Sequence, residues 1–252
     1  MCALGIGGIF GVSYEGCSDI FAQQFNVVTQ QASAITDPLY LLEWSSQQFE
    51  GSIALATSLG NQTLVIIDML HRMNRRIPVF CIDTGLLFDE TYKLWTAVEE
   101  KYELKIEGLR SPLSLSDQST LLGESLWNTR ADECCKIRKV LPLRQRIQGL
   151  GAWVTGLRRT PDSPTRDGVR GVEWDAVNGL FKVNPLWAWT PDDVSNYMQV
   201  HQIPSNALLT RGYRSISCAP CTAPCTGDHE RSGRWSGQNK TECGLHFSST
   251  LK

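Results

Sequence analysis

The chain has no excess of either charge. Twenty-four lysines and arginines stand against 26 aspartates and glutamates, a formal net charge of −2 over 252 residues. Such a surface has no general attraction for nucleic acid or for an anionic membrane, so any basic site must be local. Long apolar runs are missing too, and no stretch approaches the ~20 residues that cross a bilayer. Residues 3–12 (ALGIGGIFGV) are apolar but glycine-rich with no basic residue before them, so no secretory signal is expected. Repeats, charge blocks and low-complexity linkers are absent. The length suffices to bury a core, and one α/β domain over residues 1–252 is the expectation.

Cysteine, by contrast, is plentiful, with nine in all. Without a secretory signal these are expected as reduced thiols in the cytoplasm, not as a disulfide framework. Cys218 and Cys221 form a C-x-x-C, a spacing that lets two thiolates reach one metal centre from a tight turn. Cys134 and Cys135 are adjacent and could hardly form a relaxed disulfide with each other. The two pairs make a four-thiolate set suited to zinc or to an iron–sulfur cluster. Cys243 is left over, between Glu242 and Gly244 with His246 three residues on, and is free to react. Cys81 lies in an apolar run and reads as core, Cys2 and Cys17 as unremarkable thiols, and Cys225 as a minor competitor for the ligand role.

Short apolar runs alternate with helical spacing, the pattern of a parallel sheet flanked by helices. Strands are expected at Ser52–Thr57, Pro78–Asp83, Leu104–Gly108, Ala152–Leu157 and Phe181–Pro185. Helices are expected near Ser18 to Ala34, at Gln62–Met73, at Asp89–Tyr102, at Trp127–Arg146 and after Thr190. Thr190, Pro191 and Asp193 spell a capping box with proline at the first helical position. The turn at Ser58-Leu59-Gly60, between a strand and a helix, offers backbone N–H groups and a helix dipole to an anion, although it has no Walker lysine. Ligands of such sheets bind beyond the strands' carboxyl ends, which also places the turn Asp83-Thr84-Gly85 there. The segment RRTPDSPTRDGVR carries Arg158, Arg159, Arg166 and Arg170 in a flexible composition suited to a lid over an anion. Arg231 and Arg234 beside Trp235 form a second cationic pair.

CCKIRKVLPL at 134–143, GYRSISCAPCT through Thr222, ERSGRW at 230–235 and ECGLH at 242–246 together resemble the assimilatory adenylyl-sulfate reductases, the iron–sulfur branch of the APS/PAPS reductase family. The resemblance runs from about Asp37 to His246, leaving residues 1–36 as a poorly matched extension and 226–252 as a C-terminal catalytic segment, expected to be mobile. It implies a Rossmann-like, adenine nucleotide α-hydrolase-like fold. It also implies a [4Fe-4S] cluster on Cys134, Cys135, Cys218 and Cys221. Substrate contacts are implied at Ser58 and Gly60 of a modified P-loop, at Asp83, Thr84 and Gly85, at Lys139 beside the cluster, at Arg158 and Arg166, and at Arg231, Arg234 and His246.

The implied activity is reduction of adenosine 5′-phosphosulfate to sulfite and AMP, with Cys243 as the nucleophile that carries an S-sulfocysteine, in sulfate assimilation and cysteine biosynthesis. Plant-type members carry a thioredoxin-like domain. None follows Cys243, so a separate thioredoxin or glutaredoxin is the expected reductant, and a homo-oligomer the expected assembly. Two alternatives stay open: reduction of 3′-phosphoadenylyl sulfate, and a four-cysteine zinc module that binds adenine nucleotides without redox work. The zinc module leaves the setting of Cys243 unexplained.

Overall fold

The computed structural model describes residues 27–32, 34–160, 166–225, 231–238, 240 and 242–246. Their centre is a six-stranded sheet of β1 (Ile53–Thr57), β2 (Val79–Ile82), β3 (Ile106–Leu109), β4 (Ala152–Val154), β5 (Val172–Asp175) and β6 (Leu180–Val183). The strand order is β3-β2-β1-β4-β6-β5, and every neighbouring pair is parallel except β5 with β6 at one edge. Leu55 of β1 stands between Val79 and Val154 of its two neighbours, so the largely apolar central strand is buried on both faces.

Helices cover both faces. On one, Leu41 and Leu42 of α1 (Pro38–Gln48), Leu64 and Ile67 of α2 (Asn61–Arg72), Val98 of α3 (Asp89–Tyr102) and Val194 of α8 (Pro191–Val200) share one core cluster. On the other, Leu143 and Ile147 of α7 (Leu141–Ile147) pack on Ala54, Phe80 and Trp153. Buried Asp68 accepts from Tyr102, Tyr197 and Arg72 and so ties α2, α3 and α8 together. Thr190 and Asp193 close the capping box that starts α8, as its sequence predicts.

A broken helix and an added edge strand differ from the sequence expectation. The helix expected over Trp127–Arg146 is broken into α5 (Leu126–Thr129), α6 (Ala131–Cys135), a π-helical turn (Lys136–Val140) and α7. Arg130, with φ −142° and ψ 64°, separates the first two. Pro142 has no N–H to give its turn, and the π-helical turn ends two residues before it. The edge strand β5 was not anticipated; a turn in which Asp175 accepts from the Asn178 amide returns it into β6. Of the helix expected near Ser18 to Ala34, residues 27–32 are helical and residues before 27 lie outside the described ones.

The chain lays down β1, β2 and β3 in one direction and then crosses back to β4, so order reverses between β1 and β4. A crevice opens at that switch, beyond the carboxyl ends of the strands. No helix among the described residues is long and apolar enough to cross a membrane.

Candidate active site

A cavity of about 380 Å³ fills this crevice. Its floor is the turn after β1. Thr57 Oγ1 lies 2.8 Å from Thr63 Oγ1 and accepts from the Leu59 amide at 2.9 Å, which holds Leu59 at φ +56°. Ser58 and Gly60 line the cavity, and so do Asn61, Gln62 and Thr63 at the amino end of α2, where the helix dipole favours an anion. Gly156, after β4, makes this approach possible, since a Cβ there would lie 2.8 Å from Thr63 Cγ2 and 3.0 Å from Gln62 Cβ.

Six cationic side chains line the cavity together: Lys139, Arg158, Arg166, Arg214, Arg231 and Arg234. Lys139 projects from the π-helical turn, is buried, and donates to Ser217 Oγ at 2.9 Å. Burial alone would weaken its charge, but the neighbouring thiols of Cys218, Cys243 and Cys135 outweigh it and raise its pKa. Arg158 donates to the Trp189 carbonyl at 3.1 Å. Arg166 and Arg231 each donate to one oxygen of Glu242, at 3.1 and 3.2 Å. Burial, then repulsion from Arg166 and Arg234, pull the Arg231 pKa down against the attraction of Glu242.

Arg234 lies over the Trp235 ring at 4.2 Å and directs Nε at the Cys221 carbonyl. Gly233 holds this turn against the cysteine loop: its carbonyl accepts from the Ala223 amide at 2.8 Å, while the Trp235 amide donates to the Cys221 carbonyl at 3.1 Å.

The tandem pair at the end of α6 and the Cys218–Cys221 turn meet in one buried group. Cys134, Cys135, Cys218 and Cys221 are 6, 6, 5 and 8% exposed. Cys135, Cys218 and Cys221 pack with Trp235, and Cys243 lies against them. Thr84 Oγ1 is 3.3 Å from Cys218 Sγ, and the Thr84 carbonyl accepts from Arg138, so the turn after β2 also supports the cysteine loop. Burial pushes the Cys134 and Cys221 thiols up to about 11. Burial works the same way on Cys218, but Lys139, the contact with Thr84 and Arg234 prevail and lower it. No three His, Cys, Asp or Glu side chains among the described residues are arranged to hold a single metal ion.

Cys243 and His246 both reach the cavity. The His246 ring stacks on Trp153, with centroids 5.4 Å apart and planes 12° from parallel. Burial first, then Lys182, Arg166 and Arg231, push its pKa down to about 3, so the ring is neutral near pH 7. Thr84 lines the cavity, while Asp83 and Gly85 stand behind it. Asp83 accepts from Tyr92, Arg110 and the Gly85 amide and so braces the turn.

Sequence reasoning passed over Glu242, Ser217, Gly156 and Gly233. Glu242 adjoins Cys243, but its partner Arg166 is 76 residues away. For the two glycines only the spatial neighbour explains the requirement.

Residues 52–224 match the phosphoadenosine phosphosulfate reductase domain. Adenosine 5′-phosphosulfate reductase 2 of Bacillus subtilis is 38% identical over 237 residues, 93% of this chain and 98% of that protein. Adenosine 5′-phosphosulfate reductase of a Geobacillus species is 43% identical over 212 residues, 83% of this chain and 90% of its own. Among solved structures, phosphoadenylyl-sulfate reductase from Candida auris, a phosphate complex, is similar with TM-score 0.67 and 25% identity, covering 86% of this chain and all of its own. The chain belongs to the phosphoadenosine phosphosulfate reductase domain family.

Proposed function

We propose that this protein reduces adenosine 5′-phosphosulfate to sulfite and AMP. The observation that carries the reading is the convergence of the part-exposed thiol of Cys243 with Lys139, Arg158, Arg166, Arg214, Arg231 and Arg234 on a single cavity at the sheet's switch point. In the reaction an anionic nucleophile meets an anionic group and expels a third anion. Preorganised cations are therefore the main catalytic requirement, and this cavity supplies them. The relatives at 38 and 43% identity carry the adenosine 5′-phosphosulfate name, which favours that substrate over its 3′-phosphorylated form.

The Cys243 thiolate attacks the sulfur of the phosphosulfate. An S–S bond forms as the S–O bond to phosphate breaks, and AMP leaves with that electron pair. A thiolate of a reduced dithiol such as thioredoxin then attacks Cys243 Sγ and expels sulfite. Its second thiol closes the reductant's disulfide and returns Cys243 as thiolate. Lys139, Arg231 and Arg234 offset charge on the transferring group, while the α2 amino end and the Ser58–Gly60 turn hold the nucleotide. His246, neutral and stacked on Trp153, shapes the cavity wall and adds no charge.

Cys134, Cys135, Cys218 and Cys221 would hold a [4Fe-4S] cluster. Their chemistry fits: four buried thiols reach one region from two segments, with Lys139 and Arg234 nearby to balance thiolate charge. Bound there, the cluster supplies a cross-link between α6 and the 218–221 turn and a negative charge beside Lys139; the transfer requires no electron from it. The reduced thiols fit a cytoplasmic protein.

The test is steady-state sulfite release with thioredoxin as reductant, comparing adenosine 5′-phosphosulfate with its 3′-phosphorylated form. A higher kcat/KM for the first is expected. Sulfite from neither substrate overturns the reading.

A further inference from the structure

The carboxylate of Glu242 lies in the cavity between two arginines. Oε1 accepts from Arg166 Nη2 at 3.1 Å and Oε2 from Arg231 Nη2 at 3.2 Å. The three side chains are 13, 24 and 23% exposed, so the pairing is largely shielded from water. Arg234 and Lys139 line the same cavity, and Arg166 and Arg234 both repel Arg231. So dense a group of cations requires an anion among them, and here the chain provides its own.

Two oxygens on one centre, each facing a guanidinium, is also how a sulfonate or phosphate group would be held. Glu242 is one residue from Cys243, and consecutive Cα atoms lie about 3.8 Å apart. The pairing therefore fixes where the Cys243 backbone sits.

We propose that Glu242 is a built-in stand-in for the substrate's anionic group: it fills the Arg166–Arg231 clamp in the ligand-free protein, positions Cys243, and must yield the clamp to an incoming anion. The inference rests on the proposed function in taking this clamp as the substrate's anion site. In ligand-free protein Glu242 then offsets part of the clamp's positive charge. Anion binding is an exchange of one carboxylate for another anion, and its free energy is reduced by what Glu242 gives up. Glu242 acts through the two arginines and Cys243, so it is a positioning residue.

The experiment uses the full chain and AMP as probe, with adenosine as the uncharged control, by calorimetry. Glu242→Gln removes the competing charge and is expected to bind AMP about tenfold more tightly, the scale of one shielded charge pair, with adenosine affinity unchanged. Glu242→Asp keeps the charge but is one methylene short of spanning both guanidiniums, so its AMP affinity should fall between the two. Iodoacetamide should alkylate Cys243 faster in Glu242→Gln than in wild type without ligand, read on the Cys243 peptide. In turnover, kcat and KM for adenosine 5′-phosphosulfate should both fall, a split that simple loss of structure would not produce.

Unchanged or weaker AMP affinity in either variant overturns the proposal, and so does equal tightening toward adenosine. AMP binding and alkylation need no turnover. Wild-type protein that releases no sulfite would therefore remove the proposed reaction and leave the exchange to be judged separately.

Discussion

Gly233 lies so close to Ala223 that a Cβ built on it would stand 2.0 Å from the Ala223 carbonyl oxygen. The two residues join the turn bearing Arg231 and Arg234 to the loop bearing Cys221. Gly233→Ala should force these segments apart, destabilise the protein by about 1–3 kcal/mol and reduce turnover at least tenfold. Urea midpoints and sulfite release check both parts; a variant with wild-type stability and activity would show that the contact is relaxed at no cost.

Arg231→Ala is expected to lower kcat by roughly 100- to 1,000-fold, the usual scale for removing one preorganised charge from a transition state. Its composition suggests an exposed residue, but the structure places it inside the cavity. Arg234→Ala should add a loss of stability, since Arg234 is 9% exposed and packs on Trp235. Wild-type kinetics in both variants would remove them from the mechanism.

Cys243→Ser should keep the metal content of wild type and still bind adenosine 5′-phosphosulfate, yet release no sulfite. Wild-type protein mixed with substrate and no reductant should hold a sulfonate on the Cys243 peptide, with one AMP freed per site. An adduct on Cys225, or turnover in Cys243→Ser, would move the nucleophile elsewhere.

Protein purified without oxygen should be brown, with iron and acid-labile sulfide near four each per chain, as a four-thiolate cubane requires. Cys135→Ala should lose the colour. A colourless preparation with stoichiometric zinc would instead favour a zinc centre on the same buried thiols.

His246 gives a pH dependence with a defined sign. Its pKa falls from 6.5 to about 3 on folding. Below pH 6.5 the unfolded chain takes up a proton that the folded protein refuses, so stability declines as pH drops from 6.5 toward 3. His246→Phe keeps an aromatic ring on Trp153 and should flatten that decline. Urea midpoints at pH 7 and pH 5 for both proteins test it; equal losses would mean the ring is not buried neutral.

Where a local rule suffices, the fold was readable from the chain. The apolar runs at Ile53–Thr57 and Val79–Ile82 and the caps at Thr190 and Asp193 act within their own segments. The two cysteine pairs stood out by their spacing and Lys139 by the family resemblance, and the structure brings Cys135, Cys218 and Cys221 into one buried group with Lys139 nearby. β5 was not, since Val172–Asp175 follows an arginine-rich loop and becomes a strand only by pairing antiparallel with β6. Asp83 enters as a substrate contact through the family resemblance; its bracing of the turn through Tyr92 and Arg110 is visible only in three dimensions. The pairing of Glu242 with Arg166 depends on how β4 and the carboxyl end come together, which no periodicity encodes.

The π-helical turn at Lys136–Val140 makes chain length itself a requirement. Each residue of a helix advances its face by about 100°. Upstream of the turn that face presents Cys134 and Cys135 to the other thiols, and downstream it presents Leu143 and Ile147 to the sheet. The turn holds one residue more than regular α-helical winding would, and absorbs it locally while both halves keep their faces. Deleting one of the five would return the stretch to α-helical winding and shift Lys139 from the cavity that it lines. A deletion in the turn around Gly123 would leave this turn untouched. Within this stretch substitutions are negotiable by chemistry, but the count of residues is not.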